Sequence, residues 1–462
     1  MKVVIINRSD IIGGAAIASY RLLHALLDSG VEARMLVIDK LQLDDDAVST
    51  VGGKMGNKWN FLAERLGIAL RTGMNRDILF KIDPGTHGLN LSRHPLVGVM
   101  GSKWRNKWNF LAERLGVFVC NGFKRDTLFK IDTGTHGLNL SRHPLVQDAD
   151  VIVLAWVNQG MLSLKGVEQL ATLGKPVVWV MHDMWNCTGV CHHAYECEAF
   201  KSVCQACPLL GSRGEDLSTR TQRVKAELYQ KYPNIHFVAV SHWLAEKCRE
   251  STLMQNSDIS VIPNAFPIEQ FTPQRLPNSD YGIDPDKKVV VMGAARLDDP
   301  VKGFDTLIDT TKYIAGVMPD LAERLHLLLF GSIRDELLLE QIAIPYTHLG
   351  SVSDVASVYA HGDVVLSTSY YETLPTTLIE GQASGCVPVT FGQGGQPDIV
   401  EHLKAGYIAE YKDSASLSQG LAWAINAPVT RQQLHDEVER KFAATKVAQQ
   451  FMELCSQLLT TP

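Results

Sequence analysis

Residues 289–310, "VVVMGAARLDDPVKGFDTLIDT", set the architecture of this chain. The run Val289–Gly293 is continuously apolar and opens with three β-branched valines, as expected of a strand buried on both faces of a sheet. "LDDP" breaks that run with turn residues. Phe304, Leu307 and Ile308 then recur at helical spacing. Strand, short loop and helix make the first part of a βαβ unit, the building block of parallel sheets. The loop carries two cations, Arg296 and Lys302, at the carboxyl end of the strand, where open parallel sheets bind their ligands.

The same alternation runs through the whole sequence. Expected strands in the first half are Val3–Ile6, Ala33–Val37, Val151–Ala155, Val177–Met181 and Phe237–Val240. A second series comprises Val289–Gly293, Leu325–Phe330, Val364–Ser367 and Val387–Thr390. Between the two lies "SVIPNAFPIEQFTPQRLPNSDYGIDPDKK", rich in proline and without helical periodicity, which reads as a domain linker. The expectation is an α/β protein of two Rossmann-like, doubly wound domains facing one another across a cleft. Residues 1–265 form the first domain and 285–440 the second. A terminal helix, 441–462, is expected to return to the first domain.

A length of 462 residues suits two or three domains. An apolar share of 45% with 20% charge is that of a globular protein rather than a disordered one. No run of 18 apolar residues occurs, so no spanning helix is expected. "MKVVIINRSD" is too short an apolar run for a signal peptide and fits a buried first strand, which points to the cytoplasm. Nine cysteines in a reducing compartment argue against a disulfide framework.

Charge is unevenly spread. Between Lys54 and Val146 there are 15 Lys/Arg against 6 Asp/Glu, a net +9, so the remainder carries −15 of the overall −6. Within that basic stretch, residues 57–97 recur almost unchanged at 106–146, both opening "NKWNFLAERLG". One tandem duplication does not make a solenoid, which needs about three repeats. The second copy runs directly into the strand at Val151, so it is the better candidate for the parent fold. Trp, Phe and Leu at near-helical spacing give each copy an amphipathic start. A basic, aromatic segment on an acidic protein fits contact with an anionic surface such as a membrane; a solvated helical face and a duplication without consequence are the plainer alternatives.

The chemistry concentrates in "SYYETLPTTLIEGQASGCVPV", residues 369–389. A buried strand ends at Ser367, and a helix is expected to begin near Pro375, since proline suits a first turn. Glu372 then sits on the loop and Glu380 on the helix. The N–H groups of Thr376 and Thr377 offer an anion seat, aided by the helix dipole. Acids on either side of a phosphate seat suit a nucleotide-sugar, with Glu372 at the sugar and Glu380 at the ribose. Arg296 and Lys302 would neutralise a departing diphosphate.

These features together resemble the retaining family-4 glycosyltransferases of GT-B fold. The resemblance rests on "ARLDDPVKGFDTLI", on Glu372 and Glu380 with seven residues between, on "EGQASGCVPVTFGQGGQPDIV" and on "NRSDIIGGAAIASYRLLHAL". "ADVIVLAWVNQGMLSL" and "VVWVMHDMWNCTGVCHH" are similar to the branch that builds bacterial surface polysaccharides, the colanic-acid-type transferases included. The resemblance implies a hexosyltransferase that moves a sugar from a nucleotide-diphosphate-sugar to a glycan or lipid-linked oligosaccharide. It implies that Arg296 and Lys302 hold the diphosphate, that Glu372 contacts the donor sugar, and that Glu380 binds the ribose. Gly13 and Gly14 match the loop that approaches donor phosphate and acceptor, and His182 matches an active-site histidine. No metal is implied for catalysis and no nucleic acid as partner. The family often has glycine where this chain has Pro375, which removes one backbone donor to phosphate. Localisation at the inner face of the cell membrane, through residues 54–146, would follow from a lipid-linked acceptor.

One cluster stands apart. Cys191, Cys197, Cys204 and Cys207 end in Cys-x2-Cys, half of a structural zinc site, with His192 and His193 as substitute ligands. Free thiols, disulfides or a redox role are the alternatives. Among other functions, a dinucleotide-dependent oxidoreductase needs Gly-x-Gly-x-x-Gly after the first strand, which "IIGGAAIA" lacks. A sugar-nucleotide epimerase and a non-catalytic scaffold of the same fold stay open, and release of nucleoside diphosphate from a donor separates the transferase from the scaffold.

Overall fold

The computed structural model of the chain describes residues 1–51, 108–115, 117 and 130–460. Strands β1 (Lys2–Ile6), β2 (Glu32–Val37), β3 (Val48–Thr50), β4 (Val151–Leu154), β5 (Val177–Met181), β6 (Ile235–Ala239) and β7 (Ile259–Val261) form one sheet in the order β3-β2-β1-β4-β5-β6-β7. Strands β8 (Lys288–Arg296), β9 (Leu325–Ser332), β10 (Tyr346–His348), β11 (Val364–Ser367), β12 (Val387–Phe391) and β13 (Tyr407–Ala409) form the other, in the order β10-β9-β8-β11-β12-β13. The ladders are parallel. Val4 of β1 pairs with Arg34 and Ile152, and Val364 of β11 with Val290 and Val387. In each sheet the order reverses beside the unit's first strand, between β1 and β4 and between β8 and β11. That is the switch point at which doubly wound sheets leave room for a ligand.

All nine expected strands are present, with ends moved by a few residues. Four others, β3, β7, β10 and β13, were not expected from the sequence. Each is three residues long and lies at a sheet edge. A strand paired on one side needs no long apolar run, so its sequence carries little signal.

The chain divides into two units. The first comprises Met1–Ala239, Ala245–Ser260 and Ala448–Pro462; the second comprises Val240–Leu244 and Val261–Val447. The first boundary therefore falls at Ser260 rather than at 265. The proline-rich stretch expected to be a linker belongs to the second unit and is packed there. Phe266 and Phe271 are buried with ring centroids 5.0 Å apart. The Phe266 N–H donates to Phe442 O (2.9 Å), and Arg431 Nε donates to Pro273 O (2.7 Å). The terminal helix, Ala444–Thr460, passes from the second unit to the first at Ala448.

The first copy of the repeat, 57–97, lies outside the described residues. The second copy is built into the first unit. Val117, Ile131, Leu138, Leu140 and Val146 are buried. Ile131 forms an antiparallel bridge with Cys191, and Val117, Ile131, Val190 and Leu210 share one apolar cluster. This copy and the cysteine-rich segment thus fold against each other.

Candidate active site

In the second unit, β8 ends at Arg296, and a 3-10 turn, Pro300–Lys302, leads through Gly303 into the helix Phe304–Val317. Asp299 starts that turn by accepting the Val301 N–H (3.2 Å). The turn is stapled to the loop after β11. Thr368 Oγ1 donates to Lys302 O (2.8 Å), and the Tyr370 N–H donates to Val301 O (2.8 Å). Gly303 has φ +66°, and a Cβ there would lie 2.1 Å from Thr368 O, so a larger residue would push the two loops apart.

That staple brings Lys302 to Glu372. Lys302 Nζ lies 2.5 Å from Glu372 Oε1, with 31% and 20% of the two side chains exposed. A charge-assisted bond of this kind fixes direction while leaving the ammonium open to a ligand. Glu372 is held from behind by the glycine pair of "GQGGQ". The Gly395 N–H donates to Glu372 O (2.9 Å), and a Cβ on Gly394, at φ +71°, would lie 2.1 Å from the same oxygen. Buried Gln396 locks this loop by donating to Ser369 O (3.2 Å) and Gln393 O (2.9 Å) and by accepting from Ser367 Oγ (3.1 Å). Arg296 reaches the acids of its own loop, with Nε 3.3 Å from Asp298 Oδ1 and Nη2 3.2 Å from Asp299 Oδ2.

Pro375 stands at the N-cap of the helix Thr376–Ala383, and no side chain caps that end. The first-turn N–H groups, those of Thr376 and Thr377 included, are left for a ligand or water. Glu380 lies one turn further along the same helix, half-buried, and its charge reaches the buried Tyr359. Arg296, Lys302, Glu372, Thr376, Thr377 and Glu380 thus all come from the loops and helices that follow β8 and β11, the two strands at the switch point. Sequence reasoning passed over Tyr370 and Gln396. Tyr370 Oη lies 2.6 Å from Thr306 Oγ1 and donates to Asp305 Oδ1 (2.8 Å), tying the loop to the helix Phe304–Val317. Both residues lie in quoted motifs, but a tethering role leaves no mark in residue type.

In the first unit, Gly13 has φ +88° and opens the helix Gly14–Asp28 without a side-chain cap. It faces open space: a Cβ on Gly13 or Gly14 would meet nothing within 4 Å. A cavity of about 300 Å³ lies there, lined by Asn7, Arg8, Gly13, Gly14, Trp156 and Gln159 among others. Asn7 Oδ1 accepts the Trp156 N–H (2.8 Å), and Trp156 Nε1 donates to Asp183 Oδ2 (3.1 Å). His182 follows β5 directly, and burial lowers its pKa from the ordinary 6.5 to about 4, so it is neutral at physiological pH. Next to it, burial would push the Asp183 carboxyl up. Nearby His192, whose Nδ1 lies 2.7 Å from Asp183 Oδ2, outweighs burial and holds the carboxyl well below the usual range.

Behind the cavity, the second repeat copy contributes a buried charge cluster. Arg114 Nη2 donates to Asp132 Oδ2 (3.0 Å), and the Gln159 N–H donates to the same oxygen (2.7 Å). Glu113 accepts from Thr133 N (3.1 Å), Thr133 Oγ1 (3.0 Å) and Gly134 N (2.9 Å). Burial and then the neighbouring Asp132 raise Glu113 to about 9, so it keeps its proton and Asp132 carries the charge that Arg114 balances.

The four cysteines expected to bind zinc are not gathered for it. Among the described residues no group of three or more His, Cys, Asp or Glu is placed to hold a metal ion. Cys191, Cys197, Cys204 and Cys207 are free thiols on a segment braced by other bonds. The Cys204 N–H donates to Gln222 Oε1 (2.7 Å), the Cys207 N–H donates to Asp216 Oδ2 (2.8 Å), and Thr219 Oγ1 donates to Cys204 O (2.6 Å). Burial raises Cys191 to about 12 and Cys204 to about 11, which keeps both protonated.

Residues 286–427 match the family model described as glycosyl transferases group 1. N-acetyl-alpha-D-glucosaminyl L-malate synthase of Bacillus anthracis is 24% identical over 227 residues, covering 46% of this chain and 57% of that protein. The GPI3 subunit of phosphatidylinositol N-acetylglucosaminyltransferase from Saccharomyces cerevisiae is 27% identical over 241 residues, 48% of this chain and 51% of that one. The chain spans about half the length of the curated relatives it matches. The crystal structure of HepE from Anabaena in complex with UDP aligns with a TM-score of 0.58 at 15% identity, over 99% of this chain and all of that one. At that identity the likeness speaks for the fold, which is α/β of GT-B type. The segment that matches the family model lies within the second unit.

Proposed function

We propose that this protein is a retaining glycosyltransferase that moves a hexose or N-acetylhexosamine from a nucleoside-diphosphate sugar to a glycan or lipid-linked acceptor in surface polysaccharide synthesis. The observation that carries this is the Lys302–Glu372 contact at 2.5 Å, clamped between two glycine-dependent loops beside an uncapped helix end. The diphosphate would lie against Arg296, Lys302 and the first N–H groups of the helix Thr376–Ala383. Glu372 would accept hydroxyls of the donor sugar, and Glu380 those of the ribose. Gly13, Gly14 and His182 of the first unit would serve the donor phosphate, the acceptor and the reacting face of the sugar.

In the step itself, the bond from the anomeric carbon to the diphosphate oxygen breaks, and the acceptor oxygen bonds to the same face of that carbon. The acceptor proton passes to the departing phosphate oxygen. Negative charge grows on the diphosphate, so cations aimed at it stabilise the transition state more than the ground state. Neutral His182 can donate one hydrogen bond through its N–H and accept one at its other ring nitrogen from sugar hydroxyls, but it lacks the extra proton of an imidazolium acid. The basic pair does the work a metal ion would otherwise do. The UDP in HepE and the N-acetylglucosaminyl names of the two relatives make UDP-linked N-acetylglucosamine the first donor to try. An acceptor held in lipid would put the protein at the inner face of the cell membrane. Among the described residues no helix is long and apolar enough to cross it.

The test is release of nucleoside diphosphate from UDP-, GDP- and ADP-sugars, with and without acceptor extract. A transferase releases it from one donor class and shows transfer with the anomeric configuration kept. Release from none of them would leave the protein as a scaffold.

A further inference from the structure

The cavity beside Gly13 and Gly14 holds a cation without a bonded counter-charge. Arg8 follows β1 and is half-buried. Among the described residues, Gln159 O is the only acceptor its guanidinium reaches, through Nη1, and no carboxylate forms an ion pair with it. Burial lowers its pKa below the ordinary 12.5, and Asp39, which lines the same cavity, offsets that through space rather than by a bond. Asp132 is paired with Arg114, and Glu113 keeps its proton, so neither neutralises Arg8. A cation drawn out of water and left unpaired is costly unless a ligand brings the opposite charge. The second repeat copy holds the guanidinium in this position. Arg8 Cζ lies 5.1 Å from the centre of the Phe110 ring, a cation–π contact. A Cβ on Gly160 would lie 2.8 Å from Phe110 N, so residues 108–115 rest directly on the turn that carries Gln159. Gln159 has φ +53°, a conformation uncommon outside glycine. Its N–H is fixed by Asp132 Oδ2 (2.7 Å) while its carbonyl turns to Arg8. Strain of this kind persists where the surroundings impose it, and it clusters at ligand sites.

We propose that Arg8 binds an oxyanion carried by the acceptor, either the carboxylate of an acidic sugar or a phosphate. The planar fork of a guanidinium matches both groups. The helix Gly14–Asp28 begins on the same lining without a side-chain cap, and its dipole adds to the attraction. Half-buried Trp156 supplies apolar surface for a sugar ring, and Asp39 can accept sugar hydroxyls. A cavity of about 300 Å³ admits one such residue of the acceptor. The inference deepens the acceptor side of the function proposed above and rests on it: it makes the transferase selective for acceptors that carry negative charge.

The test is ligand-observed NMR titration of the full chain with methyl glucuronide, methyl glucoside and methyl phosphate. The native protein binds at least one of the two anions about tenfold or more tightly than the neutral glucoside, a difference of about 1.4 kcal/mol. A stronger hold on the glucuronide assigns the charge to an acidic sugar; a stronger hold on methyl phosphate assigns it to a phosphate. Arg8→Gln brings both anions down to the level of the glucoside, with the melting temperature as the control for folding. A second measurement needs no variant: the preferred anion shields Arg8 of the native chain from phenylglyoxal, read by peptide mass spectrometry, and the glucoside does not. Three results overturn the inference: equal binding of all three probes, an anion preference kept by folded Arg8→Gln, or modification of Arg8 unaffected by either anion. Nucleoside diphosphate release is followed in parallel. Release without an Arg8-dependent preference overturns this inference and spares the transferase, whereas the preference without release supports the oxyanion site and removes the transferase.

Discussion

In the first unit β1 leads into the helix Gly14–Asp28 through Gly13, at φ +88°; in the second, β8 leads into the helix Phe304–Val317 through Gly303, at φ +66°. Both sheets share the order 3-2-1-4-5-6 counted from their own first strand, the first sheet adding a seventh strand, and both glycines stand at an N-cap without a side-chain cap. The loops before them differ. The first holds Arg8, whose guanidinium donates to Gln159 O, and Asp10, whose carboxylate accepts the N–H groups of Leu41 and Gln42 (both 2.7 Å) and so ties this loop to the one after β2. The second holds Arg296 and Lys302. Gly13 faces open space, whereas Gly303 is pressed against Thr368 O. The backbone of a switch point provides a position and a dipole. The side chains before the glycine decide whether it can take up growing negative charge, and clamping by the next loop decides where that charge must lie.

The largest effect should come from removing those side chains. Lys302→Ala or Arg296→Ala should lower sugar transfer by about 100- to 1000-fold with the fold intact by circular dichroism. Turnover near native in both would erase the distinction between the two switch points. Next comes the cluster that stands behind the first unit's cavity. Asp132→Asn leaves Arg114 facing a neutral partner and should cost about 1.5–3 kcal/mol in urea unfolding; an unchanged midpoint would mean that the second repeat copy is not integral to this unit.

The glycines sharpen the comparison further. Alanine at either position takes on a backbone conformation that costs about 1–3 kcal/mol. Only Gly303→Ala adds a collision, so it should lower the melting temperature more than Gly13→Ala does. Equal losses would show that the staple between Lys302 and Thr368 is slack. The smallest effect concerns pH. Because burial lowers His182 from 6.5 to about 4, the unfolded chain binds the extra proton first as pH falls. Stability contributed by keeping this histidine neutral is complete above about pH 6.5 and is lost as pH falls toward 4. His182→Gln should flatten the denaturation profile between those values; a profile as steep as the native one would assign the slope to other groups.

Much of this was legible in the sequence because interior parallel strands are written as apolar runs. The edge strands β3, β7, β10 and β13 were not, since three residues paired on one side need no such run. The boundary at Ser260 was hidden for a related reason: proline and polar residues look like linker, and only the burial of Phe266 and Phe271 shows that the stretch is packed. In the site, residue types and order pointed to Arg296, Lys302, Glu372 and Glu380, but no spacing could foretell that Lys302 touches Glu372 across 70 positions. The amphipathic start of the repeat was legible as well. Which side faces inward was not, because Asp132, the partner that makes burying Arg114 tolerable, comes 18 residues later. The cysteine spacing suggested zinc, yet backbone bonds to Gln222 and Asp216 set the positions of Cys204 and Cys207 instead.

Titration calorimetry of UDP, GDP and ADP into the native chain and into the Arg296→Ala/Lys302→Ala variant tests the central claim most directly. The account predicts that at least one nucleoside diphosphate binds the native protein and binds the variant about 100-fold more weakly or worse, a loss of about 2.7 kcal/mol. Equal binding to both proteins, or none to the native one, would contradict it.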